Sequence, residues 1–175
     1  MYLQKALVRP LEEKERLMAL RVFGATLPFE RILLCNDSGP NDRPFTQAQL
    51  SRNFYFLHVG AKIFNDATST AAWTRFHDGT VRERFCDVFI HELTHVWQGV
   101  YRPGGLLCRS TFHQLKHGNG LEVYVYDLGA TWACYTVEQQ AQIVEDWFNP
   151  RIGNESPSDA RYRYIIENIR TRRAR

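Results

Sequence analysis

Two histidines four residues apart, with a glutamate directly after the first, make His91-Glu92-Leu93-Thr94-His95 the segment of this chain best suited to chemistry. On a helix, side chains at i and i+4 share a face, so both imidazoles can reach one ion at the about 2.0 Å that a Zn–N bond needs. Glu92 is offset around the same helix. There its carboxylate can approach a water activated by the metal without becoming a ligand, which is the position of a general base. The alternative is two ordinary core histidines. Burying imidazoles and a carboxylate together in so apolar a stretch costs several kcal/mol unless a cation offsets it, and that cost favours the metal site.

A catalytic zinc centre takes three protein ligands and leaves one position open. The metzincin continuation requires a glycine three residues after His95 and a histidine three beyond that; Gln98 and Tyr101 stand there, which excludes it. His113, His117, Glu122, Asp127 and Glu138 remain as candidates for the third ligand. Glu138 is favoured because it opens an amphipathic helix, a rigid element able to pack antiparallel on the first. An oxyanion donor is sought among His113, His117, Tyr124, Tyr126 and Tyr135, with His113 and Tyr126 preferred. Thr94 and Gln98 lie beside the histidines and suit a supporting role toward them.

The elements that must position these groups follow from periodicity. Between Val81 and Val100, Phe85, Val88, Phe89, Leu93, Val96 and Trp97 recur at three- and four-residue intervals, which predicts a buried helix that Pro103-Gly104-Gly105 stops. A second helix is expected from Thr136 to Phe148, with Thr136 and Gln139 at capping-box spacing and Asn149-Pro150 ending it. Further helices are expected at 10–23, before Gly24, and at 157–170. Strands are expected at Arg31–Cys35, Asn53–Val59 and Leu121–Tyr126. The fold class is therefore α+β, mainly helical, with a small sheet.

A length of 175 residues suits a single domain over 1–175, and 44% hydrophobic against 23% charged residues excludes a largely disordered chain. Arg170, Arg172, Arg173 and Arg175 form a basic tail at 170–175 that carries +4 of charge; the rest of the chain, at about −1, offers no reason to expect nucleic acid as partner. No window is apolar enough for a membrane span, and the first residues lack a signal-peptide pattern, so synthesis in the cytoplasm is expected. Cys35, Cys86, Cys108 and Cys134 form no CxxC pair and are expected as buried thiols, with Cys108–Cys134 the preferred pair should a disulfide form.

Three blocks, Ile90-His91-Glu92-Leu93-Thr94-His95-Val96-Trp97-Gln98, Tyr124-Val125-Tyr126-Asp127 and the run from Glu138 to Phe148, occur in the order found in a known family. Over roughly residues 31–150 the chain resembles the metallopeptidase domain at the C-terminus of some VgrG spike proteins of type VI secretion, and related stand-alone proteins. That resemblance implies a zincin-like fold with zinc on His91, His95 and Glu138 and with Glu92 as base. It also implies an antibacterial effector acting on a peptide or protein substrate in the target cell, with the periplasm the expected compartment. A secretion spike and a cognate immunity protein are the implied partners. The competing expectation is an inactive zinc-containing adaptor that docks to such partners.

Overall fold

The computed structural model describes residues 7–49, 53–70, 73–75, 81–101 and 121–172. Its centre is a four-stranded sheet, β1 (Val8–Pro10), β2 (Ile32–Cys35), β3 (Phe45–Gln49) and β4 (Phe54–His58), in the order β1-β2-β4-β3. The β2–β4 pair is parallel, and β1 and β3 run antiparallel to their neighbours at the edges. Because side chains alternate across a strand, Ile32, Leu34, Tyr55 and Leu57 share one face, and all four are buried. Thr46, opposite Leu57, points the same way. The expected strands at Arg31–Cys35 and Asn53–Val59 are thus present within a residue or so.

Helix α1 (Glu13–Phe23) precedes β2 and ends at Gly24, whose φ of +57° suits a residue without a Cβ. Glu15 in its first turn is fully buried, and Arg9 on β1 forks onto both its carboxylate oxygens at 2.7 and 2.8 Å. That two-pronged pairing offsets the burial of charge and staples helix to sheet. A short helix α2 (Gly60–Asn65) follows β4, and strands β5 (Trp73–Arg75) and β6 (Val81–Arg84) pair antiparallel.

Helix α3 (Phe85–Tyr101) is enclosed along nearly its whole length: every residue from Cys86 to Gly99 is buried. Its start corrects the sequence expectation. Residues 81–84 are the strand β6, paired antiparallel with β5, and the apolar residues at helical intervals are concentrated from Phe85 onward. Helix α4 (Val137–Phe148) packs on α3 and forms the expected capping box. Thr136 Oγ1 accepts from Gln139 N at 3.2 Å, and Gln139 Oε1 accepts from Thr136 N at 3.0 Å.

Two other expectations are corrected. Leu121–Tyr124 is a 3-10 turn rather than the first part of a strand, and the carbonyl of the next residue, Val125, accepts from Gln139 Nε2 at 2.7 Å, a partner on α4. The terminal helix α5 (Tyr162–Tyr164) starts at Tyr162, not 157, and widens into a π-helical turn over Ile165–Ile169; the preceding residues are spent on turns around Gly153 and Ser156. The basic tail is in part docked: Arg170 Nε donates to Val22 O at 3.1 Å, and Arg172 sits 5.8 Å above the Trp97 ring. Among the described residues no helix is long and apolar enough to cross a membrane.

Candidate metal centre

His91 and His95 project from one face of α3, as their spacing requires, and their rings meet edge to face with centroids 5.0 Å apart. Glu138, in the first turn of α4, faces them. Its Oε2 lies 3.4 Å from Nε2 of His91 and 3.4 Å from Nε2 of His95. The three residues are 8, 6 and 5% exposed. One ligand atom from each lies within 4.8 Å of the others, a spacing open to a single ion.

The far side of each ring is already engaged. His91 Nδ1 lies 2.9 Å from Oε2 of Glu145, and His95 Nδ1 lies 2.8 Å from Oε1 of Gln98. Glu145 is an acceptor, and the Gln98 amide donates its own hydrogens to Val137 O at 2.8 Å and Gln140 Oε1 at 3.1 Å. Both Nδ1 atoms must then carry the proton, which leaves a lone pair on each Nε2 pointing at the Glu138 carboxylate. Three acceptors aimed at one point repel one another unless a proton or a cation lies between them. The second Glu138 oxygen, Oε1, is buried with no hydrogen-bond partner. On donor set, convergence and this orphaned oxygen, the residues fit zinc, which takes two imidazoles and a carboxylate readily.

The electrostatics reflect the same crowding. Burial pulls the His91 imidazole down, yet its hydrogen bonds to Glu138 and Glu145 prevail and it ends well above the ordinary value. His95 is likewise lowered by burial and raised further by the Glu138 charge. Burial pushes the Glu138 carboxyl up, and the histidines facing it outweigh that and hold it well below the carboxylate range. Glu145 ends raised, because its enclosure and the charges of Asp146 and Asp87 exceed the help it receives from His91.

Glu92 is 5% exposed, and its Oε2 accepts from Thr46 Oγ1 at 2.7 Å. Thr46 also approaches the Glu92 carbonyl at 3.1 Å, so the edge strand β3 fixes this residue from the sheet side. The other sequence candidates are placed as follows. Tyr126 OH lies between Asp146 at 2.5 Å and Arg161 at 2.7 Å, and Tyr124, two residues earlier, sets its ring 5.9 Å from that of His91. Asp127 is exposed, and its carbonyl accepts from Tyr135 OH. Thr94 Oγ1 bonds back to Ile90 O within α3. His113, His117 and Cys108 lie outside the described residues, as does the side chain of Glu122; Cys134 is exposed, whereas Cys35 and Cys86 are buried as expected.

Thr46 and Glu145 were not read from the sequence. Glu145 had a signal: it stands seven residues after Glu138, two turns along one helix face, as a second acid on the face that carries the favoured ligand. Thr46 had none, because a lone threonine in a short polar strand looks like any edge residue.

The chain is 33% identical over 167 residues to the type VI secretion system spike protein VgrG2b of Pseudomonas aeruginosa, an alignment covering 93% of this chain and 15% of that protein. Its structure matches the solved effector domain of VgrG2b at a TM-score of 0.56 and 27% identity, covering 89% of this chain and 81% of that one. This chain is related to the VgrG2b effector domain. No family model matches it. It spans about 15% of the whole VgrG2b protein, so the likeness concerns one part of that spike.

Proposed function

We propose that this domain is a zinc-dependent peptidase that serves as a type VI secretion effector, with His91, His95 and Glu138 as metal ligands and Glu92 as general base. The observation that carries the reading is the convergence of two Nε2 lone pairs on Glu138 Oε2, at 3.4 Å each, while both Nδ1 atoms are held by other partners. The effector role is supported by the relationship to VgrG2b. Zinc, when bound, supplies a Lewis acid that acidifies water and polarises a carbonyl.

The remaining work belongs to the chain. Thr46 holds Glu92 Oε2, which leaves Oε1 to take the proton of the attacking water and later return it to the departing amide nitrogen. Glu145 and Gln98 fix the tautomer and the tilt of the two imidazoles. Gln98 in turn is tied through Gln140 to Trp132 O at 2.8 Å, so the start of α4 and the histidine face of α3 move as a unit. The substrate class is a peptide or protein. A secretion spike as carrier, which the relationship to VgrG2b supports, a cognate immunity protein and action in the target-cell periplasm complete the reading.

The test is metal content and cleavage measured together. The wild-type domain is expected to hold one equivalent of zinc and to cut a protein substrate, Glu92→Gln to keep the zinc and lose cleavage, and Glu138→Gln to lose zinc. A domain that cleaves equally well after Glu92→Gln refutes the assignment.

A further inference from the structure

At the opposite end of the sheet from α1, three residues that play no part in the proposed peptidase site come together. Cys35 and His58 are the last residues of β2 and β4 and stand directly opposite each other in the parallel register, so their side chains leave the sheet on the same face. This is the face away from Ile32, Leu34 and Leu57. Asp37 follows two residues after Cys35, at the start of the loop to β3. That loop is pinned at its root by Val59 N donating to Cys35 O at 3.1 Å and Gly60 N donating to Asp37 O at 2.8 Å.

His58 is held with unusual definition for a residue at a strand end. Its ring lies flat on Phe45, with centroids 4.2 Å apart and planes within 1°, and its Nδ1 is 2.7 Å from Asp37 Oδ1. Nδ1 and Oδ1 are close enough to ligate one ion, which would take the place of the proton between them and leave the ring proton on Nε2. His58 Nε2 is buried and has no hydrogen-bond partner. The Cys35 thiol is within 4.8 Å of both other donors and almost fully enclosed, while the Asp37 side chain is 48% exposed and keeps the cluster open to solvent.

We propose that Cys35, Asp37 and His58 form a second metal site, selective for a thiophilic divalent cation of the zinc type. A thiolate beside an imidazole and a carboxylate matches the borderline-soft ions and disfavours magnesium or calcium. Binding costs Cys35 its thiol proton, which passes to solvent through the open Asp37 side; no electron is transferred. A bound ion ties the ends of two parallel strands to the loop that leads into β3, the strand whose Thr46 holds Glu92. The site is independent of the peptidase reading, because none of its three residues touches His91, His95 or Glu138.

Cobalt(II) distinguishes the two centres, since only a centre with a cysteine gives a thiolate-to-metal charge-transfer band in the near ultraviolet. Metal-stripped, reduced protein titrated with cobalt(II) is expected to show that band, with one more bound equivalent than Cys35→Ser, which loses it. Glu138→Gln is expected to keep the band. Should Cys35→Ser fail to fold, His58→Gln, altered at a strand end, carries the test through the same loss of band and equivalent. A wild-type protein that binds cobalt(II) without the band, or a band of full strength in a folded Cys35→Ser or His58→Gln variant, overturns the proposal.

Discussion

Replacing Gln98 by alanine separates metal affinity from folding, because its one side chain serves both. Its Oε1 accepts from His95 Nδ1 at 2.8 Å, and its Nε2 donates to Val137 O and Gln140 Oε1. Loss of the partner that orients a ligating histidine costs about 10- to 100-fold in metal affinity, or about 1.4–2.7 kcal/mol. The fold is affected on its own account. Gln98 is 1% exposed, so its removal strands buried groups on both helices, at about 1–3 kcal/mol for each one left unpaired. Gln98→Glu divides these effects. The acceptor for His95 is kept and gains charge, whereas two donors become acceptors facing Val137 O and Gln140 Oε1. The expectation is that Gln98→Ala weakens zinc in competition with a chromophoric chelator and lowers the urea midpoint of the metal-free protein. Gln98→Glu is expected to hold zinc near the wild-type level and yet unfold at lower urea. Zinc affinity within threefold of wild type in Gln98→Ala would refute the idea that this side chain sets the His95 ring.

Thr46→Val is expected to lower kcat about tenfold or more, with zinc content and KM unchanged and with Thr46→Ser restoring the rate, since the hydroxyl positions the base without touching the metal; steady-state kinetics on a cleaved substrate checks this. Gly153→Ala is expected to destabilise by about 1–3 kcal/mol in chemical denaturation, because a Cβ there would lie 2.5 Å from Trp147 Cα and 2.6 Å from its carbonyl oxygen. Thr136→Ala removes half of the α4 capping box and is expected to cost about 1 kcal/mol by the same assay. In the metal-free protein, burial and then the Asp37 charge push the Cys35 thiol up to about 11, so the unfolded chain loses that proton first. Stability is accordingly expected to fall as pH rises from about 9 to 11, and Cys35→Ser to flatten that part of the curve of urea midpoint against pH.

The sequence made α3 and α4 legible for different reasons. Helix α3 announces itself by apolar residues at helical intervals, and α4 by a capping box, Thr136 and Gln139, whose two reciprocal hydrogen bonds the structure contains. The face shared by His91 and His95 follows from arithmetic on 3.6 residues per turn. The edges of the sheet were not readable. Strand β1 has three residues and ends on Pro10, and β3 reads Phe-Thr-Gln-Ala-Gln, too polar to suggest a strand; both sit at edges, where composition is least constrained. The parallel pairing of β2 with β4 depends on a crossover that local pattern does not encode. Leu121–Tyr126 misled because its alternation of Leu, Val and Tyr imitates a strand, while its chain is held by Gln139 on α4.

The enclosure of α3 bears on how such a domain would travel. With His91, His95 and Glu138 each at least nine-tenths hidden, an ion seated among them would be largely shielded from solvent and is expected to exchange slowly. A protein charged with its cation where it is synthesised would then arrive still charged, ready to act in surroundings where free zinc is scarce or held by competing chelators.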